Sequence, residues 1–304
     1  MTLDDLVAHV RQGRVRAVAR AISLVEDDHP AAPALLAALH DAGRQALIVG
    51  VTGPPGAGKS TLVDALAAHL RAAGQRVGIL AVDPSSPFSG GALLGDRIRM
   101  HRHALDPDVF VRSMATRGHL GGLARGATDA ARILSAAGYD TVIVETVGVG
   151  QAEVDIVRTA DVSLVVLVPG TGDDVQALKA GVMEIADVFV VNKADREGAD
   201  RLVASIDAML SLRRDDDGAG DGDAGSGARW RPPVVKTTAT TGDGIADVWT
   251  AIERFRAHAA VHGGARRRAR VAHHLRARLA DRLVPLVEAA LPAAGGAKIG
   301  RAHV

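Results

Sequence analysis

The chain contains no cysteine among its 304 residues. Disulfides, thiolate metal sites and cysteine nucleophiles are thereby excluded. Aromatic residues make up only 2%, so a buried core must be built from Val, Leu, Ile and Ala, and binding of single-stranded nucleic acid by base stacking is disfavoured. The net charge is +1, which gives no bulk attraction to nucleic acid or to an anionic membrane. Long apolar runs are missing as well: SLVVLV at 163–168 is bounded by Asp161 and Pro169 and is too short to span a bilayer. The N-terminal MTLDDLVAHVRQGR is acidic, then basic, with no apolar block, so no signal peptide is predicted. A cytoplasmic protein that contacts neither nucleic acid nor membrane is the expectation.

What is present is an apolar fraction of 47%, enough for one large α/β domain with extensions. Residues 1–44 read as an N-terminal helical extension made of two segments, LVAHVRQGRVRAVARAISLVE and HPAAPALLAALHDAG, parted at Pro30 and Pro33. Residues 45–262 alternate short β-branched runs (ALIVGV, RVGILAVD, DVFVR, TVIVET, VSLVVLV, VFVVNK, PVVKTTA) with helical stretches. Helices are predicted at 59–73, 119–138, 176–185 and 199–212. That pattern predicts a mainly parallel sheet covered on both faces, with the C-terminal strand ends gathered on one edge. RRDDDGAGDGDAGSGARW carries a Gly/Asp-rich insertion at 213–229; its acids lack the ligand spacing of an EF-hand, so it reads as a flexible surface loop. Residues 244–290 read as helical, and 263–304 as a C-terminal segment that could serve as a dimerisation arm.

GVTGPPGAGKSTL, beginning at Gly50, places Gly53-Pro54-Pro55-Gly56-Ala57-Gly58-Lys59-Ser60-Thr61 between an apolar strand and a helix. This is G-x-x-x-x-G-K-[ST] in its required context. A loop that wraps phosphates tolerates few side chains and needs positive φ. Its N–H groups and the helix N-terminus attract an anion. Lys59 then supplies charge at the β- and γ-phosphates, and Ser60 a hydroxyl for Mg²⁺.

Asn192-Lys193-Ala194-Asp195 ends another apolar strand. N-K-x-D is the guanine-reading pattern: the Asp carboxylate accepts from the ring N–H and the exocyclic amine, which adenine does not offer on that edge. Asn192 braces the loop in this reading and the stem of Lys193 covers the base. Thr238-Ala239-Thr240, after the next strand, occupies the place of a short base-contacting turn, with Thr where Ser is usual. Three acids complete the pattern: Asp83 after RVGILAV, Asp96 in LLGDRIRM and Glu145 at the tip of VIVET, with Gly148 close behind. A nucleotide-bound Mg²⁺ takes oxygen ligands, for which Ser60, Asp83, Asp96 and Glu145 are the candidates. For Asp96 a helix cap or a surface charge is an equal reading.

Together VTGPPGAGKSTL, AVDPSSPFSGGALLGDRIRM, TRGHLGGLA, VIVETVGVGQAEVDI, GDDVQALKAGVMEIAD and VVNKAD resemble the MeaB/ArgK-type GTPases of the SIMIBI class, the family that includes the methylmalonic aciduria type A protein. The resemblance runs over roughly residues 5–260. It implies a three-layer P-loop NTPase with helical N- and C-terminal extensions and a homodimeric, GTP-hydrolysing, metallochaperone-type switch. Such proteins assist adenosylcobalamin-dependent acyl-CoA mutases, chiefly methylmalonyl-CoA mutase, by gating cofactor loading and by protecting or reactivating the enzyme. It further implies that Lys59, Glu145, Asp96 and Lys179 serve catalysis and signalling, with mobile switches around Asp96, after Gly148 and from Gly172-Asp173-Asp174 to Lys179. The sequence departs from the family in its GDD in place of GDE, its Gly/Asp-rich insertion and its short, loose ending ALPAAGGAKIGRAHV. Two other functions compete: nickel or cobalt delivery, for which the pairs His101/His103 and His273/His274 are the candidate ligands, and phosphotransfer of the arginine/ornithine transport kinase type. A fourth reading, a scaffold with a vestigial nucleotide fold, conflicts with the intact Lys59, Ser60, Glu145 and Asp195.

Overall fold

Seven strands form one sheet: β1 (Leu47–Thr52), β2 (Val77–Asp83), β3 (Val109–Ala115), β4 (Thr141–Thr146), β5 (Val162–Leu167), β6 (Val188–Asn192) and β7 (Val234–Thr237). Their order is β3-β2-β4-β1-β5-β6-β7, and all six ladders are parallel. The structure is a computed structural model. It describes residues 1–40, 45–83, 103, 105–115, 122–146, 160–170, 185–216, 230–262 and 283, with the backbone alone at 83, 115, 122–125 and 213–216. By its internal contacts the chain divides into Met1–Gly263 and Gly264–Val304, and the seven strands all belong to the first unit.

The five inner strands, β2, β4, β1, β5 and β6, are almost wholly buried because helices cover both faces of the sheet, while the edge strands β3 and β7 are partly exposed. Seven helices occur among the described residues: α1 (Leu3–Arg11), α2 (Val15–Glu26), α3 (Ala32–Leu39), α4 (Lys59–Ala72), α5 (Gly122–Ala136), α6 (Ala199–Asp216) and α7 (Ile245–His262). Leu47, Val49 and Val51 of β1 share a core with Leu62, Val63 and Leu66 of α4 and with Val248 and Ile252 of α7. On the opposite face Leu80, Val82, Val142 and Val144 pack with α1–α3 and α5. Val165, Leu167, Phe189 and Val191 meet Leu202, Ile206 and Leu210 of α6. Each strand thus feeds alternate side chains to opposite layers, which makes the three-layer α/β/α architecture of the SIMIBI-class P-loop fold.

The N-terminal extension holds three helices, not two. The first predicted segment breaks after Arg11, where Gly13 turns the chain at φ +69°. α1 is started by a reciprocal cap: Asp5 N–H donates to Thr2 Oγ1 at 3.1 Å and Thr2 N–H to Asp5 Oδ2 at 2.9 Å. Pro33 opens α3, where a missing N–H costs nothing. These helices share their core with the sheet, and Arg112 of β3 fastens α2 through Glu26, the Ser23 hydroxyl and the Ala19 carbonyl.

The lower edge of the sheet is pinned by aspartates. Asp140, Asp161 and Asp187 stand immediately before β4, β5 and β6. Each accepts a backbone N–H from elsewhere in the sheet: Arg76, just before β2, at 2.8 Å, Ile48 of β1 at 2.9 Å and Ser163 of β5 at 2.8 Å. At the same edge Arg71 of α4 donates to Asp106 at 2.9 Å and to Asp108 at 3.1 Å. The bond from Arg71 holds the Asp106 carboxyl below its ordinary range, and the N–H of Asp108 adds to the effect. No helix among the described residues is long and apolar enough to cross a membrane.

Candidate functional site

β1 lies at the centre of the sheet, between β4 and β5. The chain leaves it for β2 and β3 on one side and later returns past it to β5–β7 on the other, so the loop after β1 opens at the topological switch point, where α/β sheets bind ligands. That loop is Gly53–Gly58. Gly53 has φ +144°, and a Cβ there would lie 2.1 Å from the Val166 carbonyl oxygen of β5. Gly58 has φ +83°, and a Cβ there would lie 2.5 Å from Asn192 Nδ2. Both positions therefore require glycine for conformation and for space. Gly58 is also the N-cap of α4 and supplies no side-chain acceptor, so no cap side chain competes with an anion for the first N–H groups of the helix.

Lys59 is buried, 6% exposed, and its ammonium donates to the Gly53 carbonyl at 2.7 Å and the Pro54 carbonyl at 3.0 Å. The charge is thus held inside the loop that it serves. Ser60 Oγ donates to Glu145 Oε1 at 2.5 Å. The contact follows from the ladder, in which Val51 of β1 pairs with Glu145 of β4, so both chains reach the upper edge side by side. One residue further on, Thr146 Oγ1 donates to Thr52 Oγ1 at 3.1 Å, closing the ends of β1 and β4 together. The Ser60 hydroxyl and Glu145 carboxylate form a hard oxygen pair of the kind that Mg²⁺ accepts, and the residues present fit that ion.

The opposite wall is built from Asn192, at the end of β6. Its Nδ2 donates to the Ala57 carbonyl at 2.9 Å. Its Oδ1 accepts from Thr237 Oγ1 at 3.1 Å and from the Ala239 N–H at 3.2 Å. One buried amide therefore joins the phosphate loop to the turn after β7. Lys193, at φ +56°, turns the chain so that its ammonium reaches the Gly56 carbonyl at 2.8 Å. Asp195 stands exposed two residues further on. The Thr238–Ala239–Thr240 turn is closed by the bridge between Thr238 and Asp243 and by Thr241 Oγ1 donating to Asp243 Oδ2 at 2.6 Å. Thr61 lies in the first turn of α4 and is exposed; Pro55 and Gly56 form the exposed crest of the loop.

Asp83 closes β2, where its neighbour Val82 pairs with Thr146, which brings its backbone to the same edge; its side chain lies outside the described residues. Asp96, Gly148, Lys179, Gly172-Asp173-Asp174, residues 217–229 of the insertion, His101, His273 and His274 also lie outside them, whereas residues 213–216, expected to open the flexible loop, continue α6 to Asp216. His103 is buried, with Nε2 3.2 Å from Asp64 Oδ1. No group of three or more His, Asp or Glu side chains placed to hold a metal occurs among the described residues. Sequence reasoning passed over the Thr52–Thr146 pair and the double use of Asn192. A hydroxyl residue directly before Gly53 and another directly after Glu145 were the available signal.

A glycine loop on the switch-point strand, with a buried lysine inside it and an N-K-x-D strand end tied across it, defines a P-loop GTPase. The particular family follows from comparison. The sequence model described as "Methylmalonyl Co-A mutase-associated GTPase MeaB" matches residues 18–291, and the chain belongs to that family. A Pyrococcus horikoshii protein named as a GTPase is 48% identical over 291 residues, 95% of this chain and 89% of its own length. The GTPase ArgK of Escherichia coli is 40% identical over 263 residues, 84% of this chain and 76% of its own. A solved structure titled LAO/AO transport system kinase superposes with a TM-score of 0.69 at 28% identity, covering 95% of this chain and 87% of that one. The methylmalonic aciduria type A homolog of Mus musculus, a mitochondrial protein, is 35% identical over 271 residues, 83% of this chain and 63% of its own.

Proposed function

We propose that this GTPase is a nucleotide-driven assistant of an adenosylcobalamin-dependent acyl-CoA mutase, with methylmalonyl-CoA mutase the first candidate. The family description and the likeness to the methylmalonic aciduria type A homolog support that partner. Within the chain, the observation that carries the reading is the Asn192 amide, which bonds to the phosphate loop and the base-side turn at once. A guanine seated by Asp195 and a triphosphate seated by Gly53–Ser60 would thereby share one rigid frame.

In this reading Lys59 exchanges the Gly53 and Pro54 carbonyls for the β- and γ-phosphate oxygens, and the first N–H groups of α4 complete the cradle. Ser60 and Glu145, with Asp83 and Asp96 as further carboxylates, would hold Mg²⁺. The ion supplies charge neutralisation at the phosphates. Glu145 would also orient an attacking water for in-line displacement. Binding and loss of the γ-phosphate would order and release the segments around Asp96, after Gly148 and up to Lys179. That cycle would gate cofactor delivery to the mutase from a homodimeric, cytoplasmic protein.

Two measurements test this. Calorimetry in magnesium buffer is expected to give tight GTP and GDP binding, weak ATP binding, and loss of the GTP preference in Asp195→Asn. Equal heats for GTP and ATP would overturn the base assignment. Single-turnover GTP hydrolysis is expected to accelerate when methylmalonyl-CoA mutase is added; an unchanged rate would overturn the partner. A second reading, phosphotransfer to a small acceptor, draws on the likeness to the LAO/AO transport system kinase. Labelled GTP incubated with arginine or ornithine should give free phosphate in the first reading and a labelled acceptor in the second.

A further inference from the structure

The far end of α7 carries a pair of histidines that the nucleotide site does not use. His258 and His262 stand four residues apart on one helix, and residues at that spacing share a face. Their ring centroids are 4.9 Å apart, with planes tilted at 42°. Two imidazoles that bind one tetrahedral ion at roughly 2.0–2.1 Å place their centroids roughly 5 Å apart. The observed centroid spacing matches that of two imidazoles on a common ion. His258 is also backed by Trp230, whose ring lies 5.2 Å from it at 46°. Trp230 in turn is fixed by its indole N–H, which donates to the Asp187 carbonyl at 2.8 Å, and by an edge contact with Phe255. One imidazole thus rests on a rigid aromatic base, half-buried, while the other stands in solvent.

We propose that His258 and His262 form a two-imidazole site for one late first-row divalent ion: Co²⁺, Ni²⁺, Cu²⁺ or Zn²⁺. Imidazole nitrogen suits these borderline ions and does not suit Mg²⁺, which takes oxygen. The site has two protein ligands, and water fills the remaining positions. It is separate from the nucleotide cradle: His258 stands thirteen residues along the helix from Ile245, beside the base-side turn, which is about 20 Å at the rise of an α-helix. The proposal stands apart from the choice of mutase partner and from the assignment of the Mg²⁺ ligands.

The test uses the untagged full-length chain without nucleotide, titrated with NiCl₂ and followed by calorimetry and by tryptophan fluorescence. Trp249→Phe leaves Trp230 as the single indole. The expected result is saturable quenching of Trp230 by one Ni²⁺ per chain, with MgCl₂ giving none. His262→Ala removes an exposed ring and leaves the Trp230 stack in place, so it should fold normally. It is expected to weaken that binding event by about 100-fold or more, since even groups that merely orient ligands are worth 10–100-fold. His258→Ala should abolish it. No Ni²⁺-dependent quenching in the parent, or equal quenching and affinity in His262→Ala, would overturn the proposal.

Discussion

Replacing Asn192 with alanine removes three hydrogen bonds at once: the one given to Ala57 O and the two received from Thr237 Oγ1 and Ala239 N–H. Asn192, Ala57, Thr237 and Ala239 are all buried, so water cannot freely replace the lost partners. At about 1 kcal/mol per bond the variant loses roughly 3 kcal/mol of stability. For a domain of this size that is a fall in Tm of roughly 6–12 °C. The effect on ligand binding is a separate expectation. With the amide gone, the phosphate loop and the base-side turn no longer hold a common geometry, so GTP and GDP affinities should fall together, by about tenfold or more. Asn192→Asp makes the comparison specific. It keeps an acceptor for Thr237 and Ala239 but places a carboxylate against the Ala57 carbonyl, and it should bind nucleotide no better than the alanine variant. Differential scanning calorimetry with and without GDP, and titration calorimetry with GTP, read both effects. An alanine variant with Tm within about 2 °C of the parent and unchanged affinity would refute the reasoning.

Gly53→Ala should abolish nucleotide binding while leaving the helical content intact, because its Cβ would fall 2.1 Å from a backbone oxygen of β5 at φ +144°; calorimetry and circular dichroism check the two halves. Thr146→Val keeps the shape but strands the buried Thr52 hydroxyl, so it should cost about 1–2 kcal/mol and raise the Mg²⁺ concentration needed for GTP hydrolysis, with Thr146→Ser restoring both. For acid stability the sign is fixed by Asp106, whose carboxyl is lowered chiefly by Arg71. Its contribution is complete above the unfolded value of about 3.9 and is lost as pH falls through the lower folded value. Asp106→Asn should therefore be less stable than the parent at pH 7, and the gap should close on acidification below about pH 4 in urea melts.

Most of the sheet was legible because its strands are short apolar runs with abrupt polar boundaries, and TVIVET and VFVVN fall within a residue of their observed limits. The phosphate loop was legible for a different reason: Gly53 and Gly58 are dictated by space and by φ, and such constraints leave few alternative residues. The three-helix N-terminus was misread as two because RQG, between two apolar stretches of helical period, interrupts the periodicity too briefly to register. Gly13 at positive φ is what separates them. The Asn192 network was only half legible. A motif assigns the residue to bracing, but which backbone groups it bridges depends on the juxtaposition of β6, β7 and the phosphate loop, and no local pattern encodes that. The strand-start aspartates were visible in the letters YDTVIV, ADVSLV and ADVFVV and went unread, because an acid before a strand looks like an ordinary surface boundary.

Those three aspartates have a collective consequence. Each ties its own strand to a neighbour at a fixed offset, and a slip of one residue would send that strand's side chains to the opposite layer and break the acid's bond together. Alignment errors are therefore penalised twice, by two unrelated forces, at the edge of the sheet opposite the phosphate loop. Folding can fix the strand offsets there, and the opposite rim is left to vary its loops, lengthen them or rearrange them around a ligand without disturbing the platform beneath.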